Sequence, residues 1–270
     1  MTAVVAQSRG GDVATRRQFG AIGALARVEG RRLILHPAYL GVGGYLVIAG
    51  TADVTQGISQ ITRHGVSEIL NILFAIFVPL IALFPASLVA SSARRAGAEE
   101  TLAALPVSQR GRSAALLLAC LVPATIASAA VAVGWWLDST AASTGDHPAT
   151  LYGTPLLYLG VGALAVAAAR WLPWPGVALA LVVGLWSWVG VVVQQDNAFA
   201  VLTAPYLVLS DTAKNVSIIG FSDAWHTAYL AGLVALACVA ALYRDDLRRM
   251  VAAGVPVGTV TLICAVAQLP

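Results

Sequence analysis

The chain is dominated by long apolar runs, each closed by a short polar or charged break. A helix that crosses a bilayer needs about 20 mainly apolar residues, because each adds about 1.5 Å across a hydrocarbon core of about 30 Å. Six runs meet that length, at residues 33–52, 69–91, 113–137, 153–170, 176–193 and 225–243. The first has His36–Pro37 near its start and carries Gly41, Gly43 and Gly44. A span tolerates such residues when neighbouring helices satisfy the freed backbone groups. Residues 251–268 form a seventh apolar run, uncharged but short and interrupted by Gly254, Pro256 and Gly258. It reads either as a seventh span or as a segment packed at the cytoplasmic face.

Composition points the same way. Only 11% of the 270 residues are charged and 59% are hydrophobic, whereas a soluble domain is roughly 25% charged. A water-soluble globule of this chain would expose far more apolar area than soluble monomers tolerate. The expected fold class is therefore all-α integral membrane, as a single transmembrane domain. Its parts are a cytoplasmic arm at 1–32, a six-span core at 33–243 and a C-terminal segment at 244–270. Residues 1–18 contain no continuous apolar stretch of the kind a secretory signal needs.

Orientation follows from arginine and lysine in the short loops. The N-terminal arm holds Arg9, Arg16, Arg17, Arg27, Arg31 and Arg32. The break between the second and third runs holds Arg94, Arg95, Arg110 and Arg112. Arg170 lies between the fourth and fifth runs, and Arg244, Arg248 and Arg249 follow the sixth. Alternating spans put all of these on one side, leaving only Arg63 and Lys214 on the other. The N-terminus is thus expected in the cytoplasm, with the protein multi-pass in the plasma membrane. Trp135, Trp136, Trp171, Trp174 and Trp225 sit at run ends, where amphipathic rings favour the membrane interface.

Two segments lie outside the runs. Residues 15–32 read as an amphipathic helix along the inner membrane surface. Thr15 and Gln18 fit a capping box, and Phe19, Ile22, Ala26 and Leu33 recur at helical spacing. Arg16, Arg17, Arg27, Arg31 and Arg32 are then available to anionic headgroups. Residues 194–224 are too long for a turn and too apolar for a free loop. Pro205 breaks any helix there, so the segment reads as short outer or re-entrant helices.

The charged island RRAGAEETLAALPVSQRGR, residues 94–112, carries the functional signal. Glu99 and Glu100 suit the first turns of a helix, where the dipole favours acids. Ala98, Leu102 and Leu105 form one narrow apolar stripe, and Pro106 disfavours helix at Leu105. A short helix held between two spans can dock in a groove on a partner. Alternatively, the acids merely cap the helix and pair with Arg94 or Arg95.

This island resembles the cytoplasmic coupling segment of ABC-2-type transporter permeases, in which a Glu-containing helix leads into Leu-Pro-Val-Ser and basic residues. VEGRRLILHPAYLGVG, residues 28–43, is similar to the elbow helix of the same family, where Glu-Arg-Arg-Leu leads through His-Pro into the first span. Six spans with a long outer segment between the fifth and sixth also match, so the resemblance covers about residues 15–243. A seventh span would depart from it.

The resemblance implies a permease subunit of an exporter, with no catalytic residues and no cofactor or metal of its own. ATP and magnesium would sit on a separate ATP-binding subunit, and a second permease copy or paralogue would complete a dimer. Arg95, Ala98, Glu99, Glu100, Leu102, Leu105, Pro106 and Val107 would dock on that ATPase. Arg16, Arg17, Phe19, Arg27, Glu29, Arg31 and Arg32 would form the membrane-surface elbow. ATP-driven closure would then push the island and tilt spans one, two and five in an alternating-access or lateral-opening cycle.

The residues agree with the absence of an ATPase site, since no G-x-x-x-x-G-K-[ST] phosphate loop occurs. The apolar spans point to an amphipathic or hydrophobic cargo, and no nucleic-acid partner is implied. A membrane enzyme would need ionisable groups at depth, which are costly and therefore mark function. His36, His64, His147 and His226 instead fall at run ends or in loops. Cys120, Cys238 and Cys264 have no metal or redox spacing and read as small buried hydrophobes. Two further readings stay open: an ion-coupled secondary transporter, which would want broken or charged helices near the midplane, and a non-transporting assembly protein.

Overall fold

The computed structural model describes residues 2–39, 78–95, 97, 107–140, 149–172, 174, 176–192 and 223–268. All regular structure among them is helical. The helices are α1 (Thr2–Ile34), α2 (Val78–Arg95), α3 (Gln109–Ala119), α4 (Leu121–Thr140), α5 (Ala149–Trp171), α6 (Val177–Val192), α7 (Asp223–Leu242) and α8 (Leu247–Ala267). Among the described residues, three stretches are long and apolar enough to cross a membrane: Gln109–Ala129, Ala224–Leu242 and Leu247–Ala267. Ala82–Ser92 and Pro155–Trp171 are shorter apolar stretches. The protein is therefore a helical membrane protein. Residues 40–52 of the expected first span, 69–77 of the second and 194–222 of the expected outer segment 194–224 lie outside the described residues.

Helix ends are set by local chemistry. α1 stops where Pro37 removes a backbone donor. His36 then starts the next turn, its Nδ1 accepting from the Ala38 N–H at 3.2 Å. Leu33 thus belongs to α1, where it is 2% exposed, and not to the expected first span. At its other end α1 passes straight through Thr15 to Thr2, so the expected capping box marks no boundary. The 2–34 stretch contains no proline, and Gly10 and Gly11 weaken a helix without obstructing it.

α3 and α4 form one helix with a break at Cys120. Pro123 cannot donate the amide bond that the Ala119 carbonyl would otherwise accept. Hydroxyls inside the helices turn back on their own backbone. Ser91, Ser128, Thr259 and Thr261 each donate to the carbonyl four residues earlier at 2.7–2.9 Å, which satisfies them where no water is present.

α5 occupies the centre, packed on α7, α2 and α4. Its inner face is small and apolar: Ala163, Ala165, Val166, Ala167 and Ala169 are buried, together with Tyr158 and Val161. Leu33, Leu83, Ala119, Cys120 and Ala241 close the same core from α1, α2, α3, the α3–α4 junction and α7. Small residues let helix backbones approach, which is how helices associate in lipid, where no hydrophobic drive operates between them. At Gly162 an added methyl would lie 2.8 Å from Cys120 Sγ.

Contacts give the relative directions. Gly160 faces Val234 and Trp171 Nε1 donates to the Ala240 carbonyl at 3.0 Å, so α5 and α7 run parallel. Gly162 meets Cys120 while Gln109 meets Arg170, so α3 runs against α5. α8 runs antiparallel to α7 over its whole length. His226 pairs with Gln268, Gly232 with Thr261, Leu236 with Gly258 and Val239 with Gly254. The 251–268 run is therefore a full-length helix alongside α7, not a segment folded across the bundle's end.

Candidate functional site: the charged end of the bundle

One end of the bundle gathers the start of α3, the end of α5 and the turn between α7 and α8. Ser108 caps α3, its Oγ accepting from the Gly111 N–H at 3.1 Å, which satisfies a helix-end donor. Val107 packs beside Gly111, where an added methyl would lie 3.0 Å from Val107 Cγ1. The cap places Gln109 and Arg110 in the first turn of α3, facing two different partners.

Arg110 lies with its guanidinium carbon 4.6 Å from the centre of the Tyr243 ring. Its Nη2 is 3.8 Å from Asp246 Oδ2. Asp246 is also the cap of α8: its Oδ1 accepts from the Arg249 N–H at 3.1 Å, and Arg249 Nε lies 3.1 Å from Oδ2. One carboxylate thus holds a helix start, an arginine on that helix and an arginine on α3. Beside it, Arg170 Nη2 is 3.4 Å from Asp245 Oδ2. With the Gln109 amide oxygen facing Arg170, that oxygen accepts from Nη1 at 2.9 Å and Nη2 at 3.2 Å. Amide orientation is assigned from just such partners.

The two pairs differ in setting. Arg110 and Asp246 are 41% and 34% exposed, so water screens them and their attraction is about 0–1 kcal/mol. The cation–π contact adds about 0.5–1 kcal/mol at such a site. The Arg170 side chain is only 13% exposed, so its partners matter more, because a buried guanidinium is costly without them.

The α1 helix adds the other positive surface. Arg27, Arg31 and Arg32 are exposed, and Arg32 Nη1 lies 3.3 Å from Glu29 Oε1. Glu29 itself is 13% exposed, with Oε2 buried and without a hydrogen bond among the described residues. Phe19 is 69% exposed. The protein-facing stripe is Ile22, Gly30 and Leu33. Ile22 meets Gly111, and a methyl at Gly30 would lie 3.0 Å from Val122 Cγ2. Two turns of α1 therefore follow α3 lengthwise and into the start of α4, in the same direction. A helix lying flat across a spanning helix would touch it over about one turn of 5.4 Å.

Of the residues expected to dock a partner, Arg95 ends α2 and Val107 precedes the α3 cap. Ala98, Glu99, Glu100, Leu102, Leu105 and Pro106 lie outside the described residues. Gly97 does not, and its φ of +63° is the left-handed conformation that glycine adopts beyond a helix end. Arg16 and Arg17 lie in α1, with side chains outside the described set. Among the described residues no group of three or more His, Cys, Asp or Glu is placed to hold a metal. All three cysteines are free thiols.

Sequence reasoning missed Asp245, Asp246 and Tyr243, and read Arg110 and Arg170 only as topology markers. The available signal was local. Two adjacent acids stand among basic residues at the break between the sixth and seventh apolar runs, and Asp246 precedes a helical run as a cap would. Comparison with protein-family models, curated proteins and solved structures returned no match.

Proposed function

We propose that the chain is the membrane-spanning permease subunit of an ATP-driven ABC-2-type transporter, exporting an amphipathic or hydrophobic cargo. The single observation behind this reading is the island between α2 and α3. Its two flanks are terminated helices, one ending before the left-handed Gly97 and the other starting at the Ser108 cap. The flank at Ser108 stands at the bundle end that carries Arg110, Arg170, Asp245 and Asp246. The two ends of the island that the structure describes are thus both helix termini, which supports a docking element between them. The charged end is cytoplasmic on this reading, and α1 is the elbow, in the plasma membrane.

ATP and magnesium belong to a separate ATP-binding subunit, and a second permease completes the transporter. α8 as a seventh span places the end of α8 on the outer side, opposite the N-terminus.

Co-expression of the tagged permease with the ATPase encoded beside it tests the reading. In mild detergent the ATPase should co-purify with wild type and be lost from Glu100→Arg/Leu102→Asp, with permease yield unchanged. A folded wild-type permease that retains no ATPase would leave a non-transporting membrane protein as the better description.

A further inference from the structure

We infer that Arg110 and Asp246 form a clamp that makes the start of α3 and the start of α8 a single mechanical unit. A push on residues 95–107 is thereby delivered to the α7–α8 hairpin. This rests on the transport reading for the source of the push, and on contacts in this chain alone for its route.

The route is short at every step. Val107 packs on Gly111, and Ser108 caps the helix that begins at Gln109. Arg110 lies in the first turn of that helix, directly after the cap, so it moves with Ser108. Its guanidinium is held from two sides of one tight turn, by the Tyr243 ring and by Asp246 Oδ2. That turn is itself closed, with the Asp246 N–H donating to the Tyr243 carbonyl at 3.0 Å. The other oxygen of Asp246 caps α8, so displacement of the carboxylate displaces the first turn of that helix.

A second, parallel line runs from Gln109 through Arg170 to Asp245. Adjacent residues on α3 thus reach adjacent residues on the turn, one directly and one by way of α5. Elsewhere α3 packs mainly on α1. α8 rests on α7 and meets α3 through this turn.

Hydrogen exchange of the permease in nanodiscs, read by mass spectrometry over residues 247–250, tests the clamp. The variants are Arg110→Ala, Asp246→Asn and the pair together. Asparagine remains a good helix cap, so Asp246→Asn removes the charge without removing the cap. Each single change should speed exchange several-fold, and the pair should add nothing further. Unchanged exchange in Arg110→Ala, or effects that multiply in the pair, would overturn the clamp.

The same peptides are then followed in the complex with the co-expressed ATPase, with and without a non-hydrolysable ATP analogue. Nucleotide should alter exchange at 247–250 in wild type and not in Arg110→Ala, which keeps its ATPase bound. A nucleotide response that survives Arg110→Ala overturns the route. A wild-type permease that binds no ATPase removes the transport reading and the push with it, while the first measurement still decides whether the clamp exists.

Discussion

α5 and α8 are both long apolar helices, yet they meet different surroundings. Most of α5 from Tyr158 to Ala169 is buried by other helices. α8 is covered along one side only: Val251, Val255, Val260, Leu262, Ile263 and Val266 are all more than half exposed. Its few buried residues, Thr261, Cys264 and Ala265, face the bundle. One helix is solvated by protein and the other by lipid. Residue size differs accordingly, with alanine where backbones meet and branched side chains where acyl chains do the packing. Apolarity alone therefore does not separate a central helix from a peripheral one. Alanine and glycine spacing does.

Substitutions can break that comparison. The largest effect is expected at Leu83, fully buried in α2 against the α5 core. Leu83→Ala should cost about 2–5 kcal/mol by lost burial and cavity formation, read as a lowered thermal midpoint in detergent. Leu262→Ala on the exposed side of α8 should stay within about 0.5 kcal/mol of wild type. Equal losses at the two sites would mean that α8 is as enclosed as α5.

Next comes Val260→Arg, which places a guanidinium on the lipid side of α8. Insertion should be opposed by about 2.5–3.5 kcal/mol, visible as a fraction of chains whose last helix fails to cross in a glycosylation-mapping assay. Full insertion of that variant would place Val260 away from lipid.

Ala165→Leu sharpens the contrast from the opposite direction. Overpacking the α5 interface should cost about 1–3 kcal/mol, whereas Ala252→Leu on exposed α8 should be tolerated, by the same thermal assay. A smaller change is expected at Gly97, where alanine in the left-handed region costs about 1–2 kcal/mol and would be read in the same unfolding curves. Arg110→Ala is expected to cost less than about 1 kcal/mol of stability, because its partner is a third exposed.

Much of this fold was legible in the chain. The runs at 153–170, 176–193 and 225–243 each closely match a helix of the structure, and the run at 113–137 covers the end of α3 and most of α4. An apolar run in lipid must satisfy its own backbone, and helix is the way an unpaired segment does so. The seventh run was ambiguous because Gly254, Pro256 and Gly258 weaken a helix in isolation. In the structure the two glycines lie opposite Val239 and Leu236 on α7, and this packing outweighs intrinsic propensity.

α1 was harder to read. Its length is set by the absence of any stop signal before Pro37, and its lengthwise contact with α3 depends on Gly30 meeting Val122, a pairing that local periodicity does not encode. The charged end was least legible. Arg110 and Asp246 are far apart in the chain, and a count of basic residues by loop records their side of the membrane without recording their partners. The docking role expected of residues 95–107 was read from pattern and resemblance alone.

The break at Cys120 has a spectroscopic consequence. Pro123 denies the Ala119 carbonyl its usual amide donor, while neighbouring carbonyls along α3 and α4 keep theirs. A carbonyl without that bond vibrates at higher frequency, so one carbon-13 label at Ala119 should give an amide I band set apart from an identical label at Leu116, whose carbonyl accepts from the Cys120 N–H at 3.2 Å. The chain carries, at the joint between two rigid rods and against the glycine of a third, a native infrared reporter of how far that joint is bent.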